Sequence, residues 1–200
     1  MSFKNKVAIV TGAGRGIGAA IARQLAAQGA HVVLAARTTE EIEWVAEENG
    51  RGTRDMLADD HSKALTSAII LNTDGVVDWE QPTEPRAYAI TCDVRDPRAC
   101  ENLVAETIRE FGQIDILINN AGAIHPAGSF LDIDDATWDE MFTINVTSAA
   151  RLTRLVARHL IDRNAPGSIV NITSVAGMQA AVAQSAYGAS KAALISLTQT

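Results

Sequence analysis

The amino-acid sequence predicts an α/β fold in which helices cover both faces of a doubly wound parallel sheet. Five short runs of apolar, mostly β-branched residues alternate with longer segments that have helical periodicity. Strands that consist of continuous apolar residues are typical of a parallel sheet buried on both faces. Right-handed crossovers between such strands produce a doubly wound sheet.

The predicted strands are separated from one another by helical segments. They are Val7–Val10, His31–Ala36, Ala87–Cys92, Ile114–Asn120 and Ser168–Thr173. Strands in this order, each followed by a helix, are expected to form one sheet around a single core.

Residues that commonly start or stop helices bound most of the predicted helices. The first helix ends at Gly29, because glycine is a usual C-terminal stop. The second begins at Thr38 or Thr39, whose hydroxyl can cap the first turn. The third has Pro97 in its first turn and Gly112 at its end. Two further helical regions run from about Trp138 to Arg163 and from Ser185 onward.

One segment, between the second helix and the third strand, does not fit the alternation. It runs from Gly50 to Arg86 and is far longer than an ordinary helix-to-strand connection. Two short apolar runs around Asn72–Gly75 could form a hairpin. We interpret the segment as an insertion in a single domain spanning residues 1–200. Because it follows a helix, it begins at the amino edge of the sheet, which favours a surface or subunit contact over a substrate lid.

The composition excludes several functional classes. The chain has 200 residues, 47% of them hydrophobic, and a net charge of −7, which argues against a nucleic-acid-binding surface. Its N-terminus has no secretory signal pattern, and no apolar run is long enough to cross a bilayer. Cys92 and Cys100 make neither a disulfide framework nor a metal-ligand set, so no metal is expected. We expect a cytoplasmic protein with two free thiols.

A glycine-rich turn, Thr11–Gly18, lies between the first strand and the first helix. Its pattern is T-G-x-x-x-G-x-G, with Gly12, Gly16 and Gly18 at the glycine positions. Glycines allow the backbone to approach a pyrophosphate, whose charge is favoured by the free N–H groups of a helix N-terminus. The strand–turn–helix context favours a dinucleotide site over a glycine turn without a ligand.

The end of the second strand bears on which dinucleotide is bound. NAD sites usually place Asp or Glu there to bind the ribose hydroxyls, but this strand ends with Arg37. Arg15, in the glycine turn, could face the same position, and guanidinium groups suit a 2′-phosphate. Each arginine alone could equally be a solvated side chain. Together they favour NADP(H) over NAD(H).

Six short motifs occur along the chain: TGAGRGIG at Thr11–Gly18, CDV at Cys92–Val94, NNAG at Asn119–Gly122, IN at Ile144–Asn145, ITSVAG at Ile172–Gly177 and YGASK at Tyr187–Lys191. In type and in order they resemble the motifs of the short-chain dehydrogenase/reductase family. The resemblance is to its compact branch, including members that reduce carrier-bound 3-oxoacyl groups. The ordered set covers the chain from end to end apart from the insertion, and is far more specific than any one motif.

The resemblance implies a Rossmann fold and an NAD(P)(H)-dependent oxidoreductase. Its catalytic set corresponds to Asn145, Ser174, Tyr187 and Lys191. The residues expected to contact the cofactor, from the glycine turn and from the resemblance, are Thr11, Gly12, Arg15, Gly16, Ile17, Gly18, Arg37, Asp93, Val94, Asn119, Ala121, Gly122, Ile144, Tyr187 and Lys191. Family members usually continue through further strands and helices, so the chain is expected to be C-terminally incomplete.

The residue types of the catalytic set suit carbonyl reduction and its reverse. Tyr187 and Lys191 lie four residues apart on a helix and therefore share a face. A nearby ammonium favours a phenolate, which suits Tyr187 to proton transfer. Ser174 would hold the carbonyl oxygen, while the resemblance gives Lys191 the nicotinamide ribose and Asn145 a proton relay through water. The alternative is a non-catalytic nucleotide-binding or regulatory protein; the glycine spacing disfavours a member acting on sugar nucleotides.

The sequence says less about partners and substrate. The family resemblance implies a homo-oligomer, a dimer or a tetramer, built through the last two helices. A stripe formed by Arg151, Arg154 and Arg158 could dock an acidic carrier protein, although a solvated helix face explains it better. His125 is interpreted as a loop residue rather than a substrate contact. The loop Gly177–Ala186 indicates an uncharged, partly apolar pocket for a small carbonyl or alcohol, or an acyl thioester.

Overall fold

The computed structural model describes residues 2–50, 85–126 and 128–200. At its centre is a five-stranded sheet in the order β3-β2-β1-β4-β5. The strands are β1 Val7–Thr11, β2 His31–Ala36, β3 Ala87–Thr91, β4 Ile116–Asn119 and β5 Ser168–Asn171. All neighbouring strands are parallel, which confirms the predicted doubly wound α/β sheet. The order reverses beside β1, so the carboxyl ends of β1 and β4 border the crevice where such sheets bind ligands.

Six α-helices connect and follow these strands within the described residues. They are α1 Gly16–Ala27, α2 Thr39–Gly50, α3 Pro97–Phe111, α4 Asp135–Phe142, α5 Ser148–Asp162 and α6 Ser185–Thr198. Short 3₁₀ turns lie at Phe130–Asp132 and Val175–Gly177. The long helical region predicted before β5 is interrupted between α4 and α5 by a π-helical turn, Thr143–Thr147.

The hydrophobic core has one layer on each face of the sheet. In β1, Val7 and Ile9 belong to the layer that also contains residues of α3 and α5. Ala8 and Val10 point the other way and belong to the layer with residues of α1 and α2. All five residues of β1 are buried, as expected for a central strand covered on both faces.

At the amino edge of the sheet, Asp115 joins three segments of the chain. Its carboxylate accepts hydrogen bonds from the backbone N–H of Val7 at 2.9 Å and from Nε2 of Gln113 at 2.9 Å. Lys6 Nζ lies 3.3 Å from the same carboxylate, and the carbonyl of Asp115 accepts from the N–H of Ser168. Because Asp115 is only 4% exposed, these donors replace the water that a carboxylate would otherwise bind.

Two histidines at the same edge accept hydrogen bonds from backbone amides. The N–H of Arg86 donates to Nδ1 of His31, and that of Ile114 donates to Nε2 of His159, both at 3.2 Å. Burial, with the positive charge of Arg86, lowers the pKa of His31. Burial, with the positive charge of Arg163, lowers that of His159. Both imidazoles are therefore kept neutral, as acceptors.

The hairpin predicted around Asn72–Gly75 lies outside the described residues. Among the helices that are described, none combines the length and the apolar character needed to cross a membrane.

Candidate active site

The glycine turn at the carboxyl end of β1 has a backbone that side chains would disrupt. Gly12 and Gly16 have φ values of 62° and 56°, in the left-handed region that favours glycine. A Cβ on Gly18 would lie 2.2 Å from the carbonyl oxygen of Gly12 and 2.5 Å from Nδ2 of Asn120. The start of α1 can pack this closely on the turn only because Gly18 has no side chain. This compact backbone cradle is what a pyrophosphate site requires.

Thr11 and Asn120 fasten the glycine turn to the end of β4. The Thr11 hydroxyl accepts from the N–H groups of Asn120 and Ala121, both at 3.0 Å, and donates to the carbonyl of Ile118. Nδ2 of Asn120 donates to the carbonyls of Thr11 and Gly12 at 2.9 and 3.1 Å. Thr11 is 1% exposed, so its hydroxyl supports the turn from behind. Asn120 was not predicted as a site residue, although the NNAG motif contains it.

A cavity of about 270 Å³ lies above the carboxyl ends of the first four strands. It is lined by Gly12, Gly14, Arg15, Ala36, Arg37, Thr38, Glu41, Cys92, Asp93, Val94, Asn120, Ala121, Gly122, Ala123 and Ile144. Eight of the predicted cofactor residues are among them: Gly12, Arg15, Arg37, Asp93, Val94, Ala121, Gly122 and Ile144. The lining combines the glycine turn with the guanidinium groups of Arg15 and Arg37, and these groups fit the phosphates and the adenosine of a dinucleotide.

Other predicted cofactor residues do not line this cavity. Gly16, Ile17 and Gly18 form the start of α1, and Ile17 is 63% exposed. The side chain of Asn119 turns away from the cavity, since its Nδ2 donates to Oδ1 of Asn171 at 2.8 Å and to the hydroxyl of Thr153 at 3.2 Å. Asn119 therefore joins β4 to β5 and α5, while the neighbouring Asn120 faces the cavity.

Two acidic residues of the cavity lining lie close to its arginines. Nη1 of Arg15 lies 4.0 Å from Oε1 of Glu41, which comes from the first turn of α2. Asp93 is held by Arg95, whose Nη2 lies 2.6 Å from Oδ2. These hydrogen bonds from Arg95 lower the pKa of Asp93, and the positive charge of Arg37 contributes. As predicted, β2 itself ends without an acidic residue. Glu41, which reaches the cavity from α2, was not predicted.

Asn145, of the predicted catalytic set, lies in the π-helical turn between α4 and α5. Its Oδ1 accepts from the N–H of Ala123 at 2.9 Å, and its Nδ2 donates to the carbonyl of Ala123 at 3.0 Å. Nδ2 also donates to the hydroxyl of Ser190 at 2.9 Å. The side chain thus fixes the segment after β4 to α6.

Ser190 connects Asn145 to the helix that carries Tyr187 and Lys191. It is fully buried, and its hydroxyl donates to the carbonyl of Tyr187 at 2.7 Å. Ser190 was not predicted as a site residue, although the YGASK motif contains it. Its position, three residues after Tyr187 and adjacent to Lys191, is the signal that could have identified it, because residues three apart share a helix face.

Lys191 and Tyr187 lie on the same face of α6, as their spacing predicts. Nζ of Lys191 is 5.9 Å from the centre of the Tyr187 ring and donates to the carbonyl of Ile172 at 2.8 Å. Lys191 is 4% exposed, and this burial lowers the pKa of its ammonium. A Cβ on Gly122 would lie 3.1 Å from Oδ1 of Asn145 and 3.4 Å from Nζ of Lys191, so both residues adjoin a wall of the cavity.

Ser174 follows β5 and is held against α6 by two close backbone contacts. Its hydroxyl accepts from the N–H of Ala176 at 3.2 Å and caps the turn Val175–Gly177. A Cβ on Gly177 would lie 2.6 Å from the carbonyl carbon of Lys191, and one on Gly188 would lie 2.9 Å from the carbonyl oxygen of Ala176. Gly177 and Gly188 therefore allow the segment that bears Ser174 to approach α6 closely.

A second cavity, of about 320 Å³, lies beside the N-terminus of α6. It is lined by Gly128, Ser129, Phe130, Ala181, Val182, Ala183 and Ser185. These residues are uncharged and mostly apolar, which agrees with the pocket character predicted from the loop Gly177–Ala186.

Two other predicted features have mainly local roles. Nδ1 of the buried His125 lies 2.7 Å from the carbonyl of Pro126, as expected for a loop residue. In the arginine stripe of α5, Arg151 donates to the carbonyl of Val94, while Arg154 and Arg158 are exposed. The stripe is therefore not a uniform basic surface.

Comparison with known proteins places this geometry in a family. The model of the short chain dehydrogenase family matches residues 6–64 and 72–200. The chain is 33% identical over 197 residues to 2,3-dihydro-2,3-dihydroxybenzoate dehydrogenase of Bacillus subtilis strain 168, covering 98% of this chain and 63% of that protein. The chain thus spans slightly under two thirds of the length of this curated relative.

Solved structures share the fold as well as the sequence pattern. A metagenomic short-chain oxidoreductase in complex with NADP is 31% identical with a TM-score of 0.80, over 100% of this chain and 76% of that one. NAD⁺-bound xylitol dehydrogenase is 31% identical with a TM-score of 0.79, over 100% of this chain and 64% of that one. Together with the family match, these similarities establish that the chain belongs to the short-chain dehydrogenase family.

Proposed function

We propose that the protein is an NADP(H)-dependent oxidoreductase that interconverts a carbonyl and a secondary alcohol. The observation that carries this proposal is that Ser190 joins Asn145 to the Tyr187 backbone, while Asn145 and Lys191 both lie next to the Gly122 wall of the larger cavity. The bound nicotinamide would supply or accept the hydride. The family membership and the dehydrogenase names of the relatives support the same reaction class.

The chain's own residues would orient the substrate and move the proton. Ser174 would donate a hydrogen bond to the carbonyl oxygen, and Tyr187 would give its hydroxyl proton to the developing alkoxide. In alcohol oxidation Tyr187 would act as the base. The ammonium of Lys191 would favour the phenolate and bind the nicotinamide ribose, and Asn145 would help relay protons through water.

We favour NADP(H) over NAD(H) as the cofactor. Arg15 and Arg37 both line the cavity, and β2 ends without an acid, which supports recognition of a 2′-phosphate. The NADP complex of one structural neighbour agrees with this preference, while the NAD⁺ complex of another leaves both cofactors open for the family.

The substrate proposed is a small uncharged carbonyl compound or alcohol, or an acyl thioester. The described residues that line the second cavity, beside the N-terminus of α6, include no charged residue, which supports an uncharged reacting portion of the substrate. The names of the dihydroxybenzoate and xylitol dehydrogenases point to hydroxylated substrates as useful test compounds. We also propose that the protein is cytoplasmic and that it forms a homo-oligomer, a dimer or a tetramer. Analytical sedimentation would test the oligomeric state.

Turnover assays with NADPH and NADH against ketones, diols and 3-oxoacyl thioesters test the proposal. Tyr187→Phe removes the proton donor and is expected to lower kcat by at least about 100-fold, within the range general acid catalysis supplies. Tyr88→Phe is the matched control, because Tyr88 lies in β3 and packs edge-on to Phe111. Unchanged turnover in Tyr187→Phe would contradict the mechanism, while nucleotide binding without turnover of any substrate would favour a non-catalytic role.

A further inference from the structure

Glu41 is placed at the cofactor cavity by packing as well as by charge. A Cβ on Gly14 would lie 2.8 Å from both Cβ and Oε2 of Glu41, so the carboxylate lies directly against the glycine turn. Its other oxygen, Oε1, lies 4.0 Å from Nη1 of Arg15. Arg37 and Thr38 also line this cavity, and Thr38 directly precedes α2, whose first turn contains Glu41. Glu41 therefore shares the space in which a 2′-substituent of the adenosine ribose would be recognised.

We propose that Glu41 is a specificity-determining residue that limits the preference for NADP(H) over NAD(H) by occupying Arg15. The inference rests on the proposed function, because it assumes that a dinucleotide binds in this cavity with its adenosine ribose toward the two arginines. It goes beyond that function by assigning opposite effects on the two cofactors to one carboxylate.

The interaction between Glu41 and Arg15 is suited to competition rather than to holding the fold together. The Arg15 side chain is 86% exposed and that of Glu41 is 40% exposed. Ion pairs this exposed contribute little to stability, so a ligand can displace them readily. A 2′-phosphate would have to replace Glu41 as the partner of Arg15. The negative charge of the phosphate would also be repelled by the carboxylate of Glu41.

The same carboxylate would favour the ligand without a 2′-phosphate. In NAD sites an acid accepts hydrogen bonds from the ribose hydroxyls, and β2 of this chain has no acid at its end. Glu41 reaches the cavity from the next element, α2, and offers the acceptor that β2 lacks. The arginines and Glu41 therefore act in opposite directions at one position, and we expect binding of both cofactors with a modest preference.

Nucleotide fragments test this inference without turnover. Adenosine 2′,5′-bisphosphate and 5′-AMP differ only in the 2′-phosphate, so the ratio of their Kd values from calorimetry isolates the contribution of that group. In Glu41→Gln we expect the ratio to shift about five- to tenfold toward the bisphosphate, since one repulsive charge is removed and Arg15 is released. The affinity for 5′-AMP should stay the same or weaken.

Two further variants make the result specific. Glu40→Gln removes the same charge from the same helical turn at a residue outside the cavity lining, and should leave the ratio within twofold of the original. Adding Arg15→Ala to Glu41→Gln should remove most of the gain. An unchanged ratio in Glu41→Gln, or an equal shift in Glu40→Gln, would overturn the inference.

The outcome is separable from that of the proposed function. If Glu41→Gln shifts the ratio while Tyr187→Phe retains full turnover, the specificity assignment stands and the catalytic mechanism fails. If Tyr187→Phe loses turnover while the ratio does not move, the reverse holds. If neither nucleotide fragment binds to the protein or its variants, the proposed cofactor site is wrong and the inference falls with it.

Discussion

Ser190 illustrates how a residue outside the predicted catalytic set can hold that set together. Its buried hydroxyl accepts from Nδ2 of Asn145 and donates to the carbonyl of Tyr187. One small side chain therefore fixes the distance between the π-helical turn and α6. A substitution here changes the relative positions of the predicted catalytic residues without removing any of them.

Replacement of Ser190 by alanine should lower both stability and turnover. The change leaves one N–H of Asn145 without its buried acceptor, and a loss of this kind costs about 1–3 kcal/mol. We expect the free energy of unfolding, measured in urea, to fall by that amount. We also expect kcat to decrease by a larger factor than the factor by which KM increases. Ser190→Thr keeps a hydroxyl and should restore part of kcat. Ser196→Ala, at an exposed position of α6, is the control. Full turnover in a folded Ser190→Ala protein would argue against a positioning role.

Single residues also mark where motif-based prediction reaches its limit. A motif indicates which residues belong to a site, but the direction of each side chain depends on the packing around it. Asn119 and Asn120 are adjacent in the NNAG motif, yet one joins strands and the other faces the cavity. Glu41 belongs to none of the motifs, and only the packing of α2 against the glycine turn brings it to the site.

At the scale of elements, strands and helices follow from apolar periodicity and from stop residues. The prediction of Pro97 and Gly112 as the limits of α3 agrees with a helix from Pro97 to Phe111 and a left-handed Gly112. The π-helical turn Thr143–Thr147 could not be predicted in this way, because one such bulge hardly changes the spacing of apolar residues from that of a regular α-helix. Such bulges are frequent at functional sites, and this one carries Asn145.

His31, at the start of β2, and His159, in α5, should make stability depend on pH. The pKa values of His31 and His159 in the folded protein lie below the ordinary value of 6.5. Below about pH 6.5 the unfolded chain therefore binds more protons than the folded protein does. The free energy of unfolding is then highest above that pH and decreases as the pH falls below it. Urea unfolding between about pH 5 and 7 should show this decrease.

Glutamine at both positions should flatten this part of the pH profile. Its side-chain oxygen can accept the backbone N–H of Arg86 or Ile114 but does not bind a proton in this range. We expect the double variant His31→Gln/His159→Gln to lose less stability than the original protein between pH 7 and about pH 5. Equal slopes for the two proteins would show that other groups cause the acid sensitivity.

At the scale of the whole molecule, the fold separates stability from the candidate site. The residues that lock the strand starts together, Asp115, His31 and His159, lie at the amino edge of the sheet. The glycine turn and the predicted catalytic residues lie at the carboxyl edge and in the segments that follow it. The alternation of strands and helices was enough to predict this arrangement. The contacts of Asp115 with Lys6 and Val7 were not predictable, because they join residues more than a hundred positions apart.

Replacement of Asp115 should therefore weaken the fold and leave the intrinsic affinity of the cavity unchanged. Asp115→Ala removes the buried acceptor of the Val7 N–H, of Gln113 and of the Lys6 ammonium. Because the Lys6 side chain is 46% exposed and can be hydrated, the main loss is the buried acceptor of the Val7 N–H, and we expect urea unfolding to show a loss of about 1–3 kcal/mol. Asp139→Ala, at an exposed position of α4, should cost less than about 0.5 kcal/mol.

The separation of the two edges is tested by measuring the nucleotide affinity of the Asp115→Ala protein at a temperature where most of it is folded. Because the cavity lies at the opposite end of the strands, the Kd of the folded fraction for adenosine 2′,5′-bisphosphate should stay within twofold of the original. Added nucleotide should also raise the Tm of the variant, since a ligand that binds only the folded state stabilises it by mass action. A Kd that weakens in proportion to the lost stability would instead mean that the amino edge and the cofactor cavity are energetically coupled through the sheet.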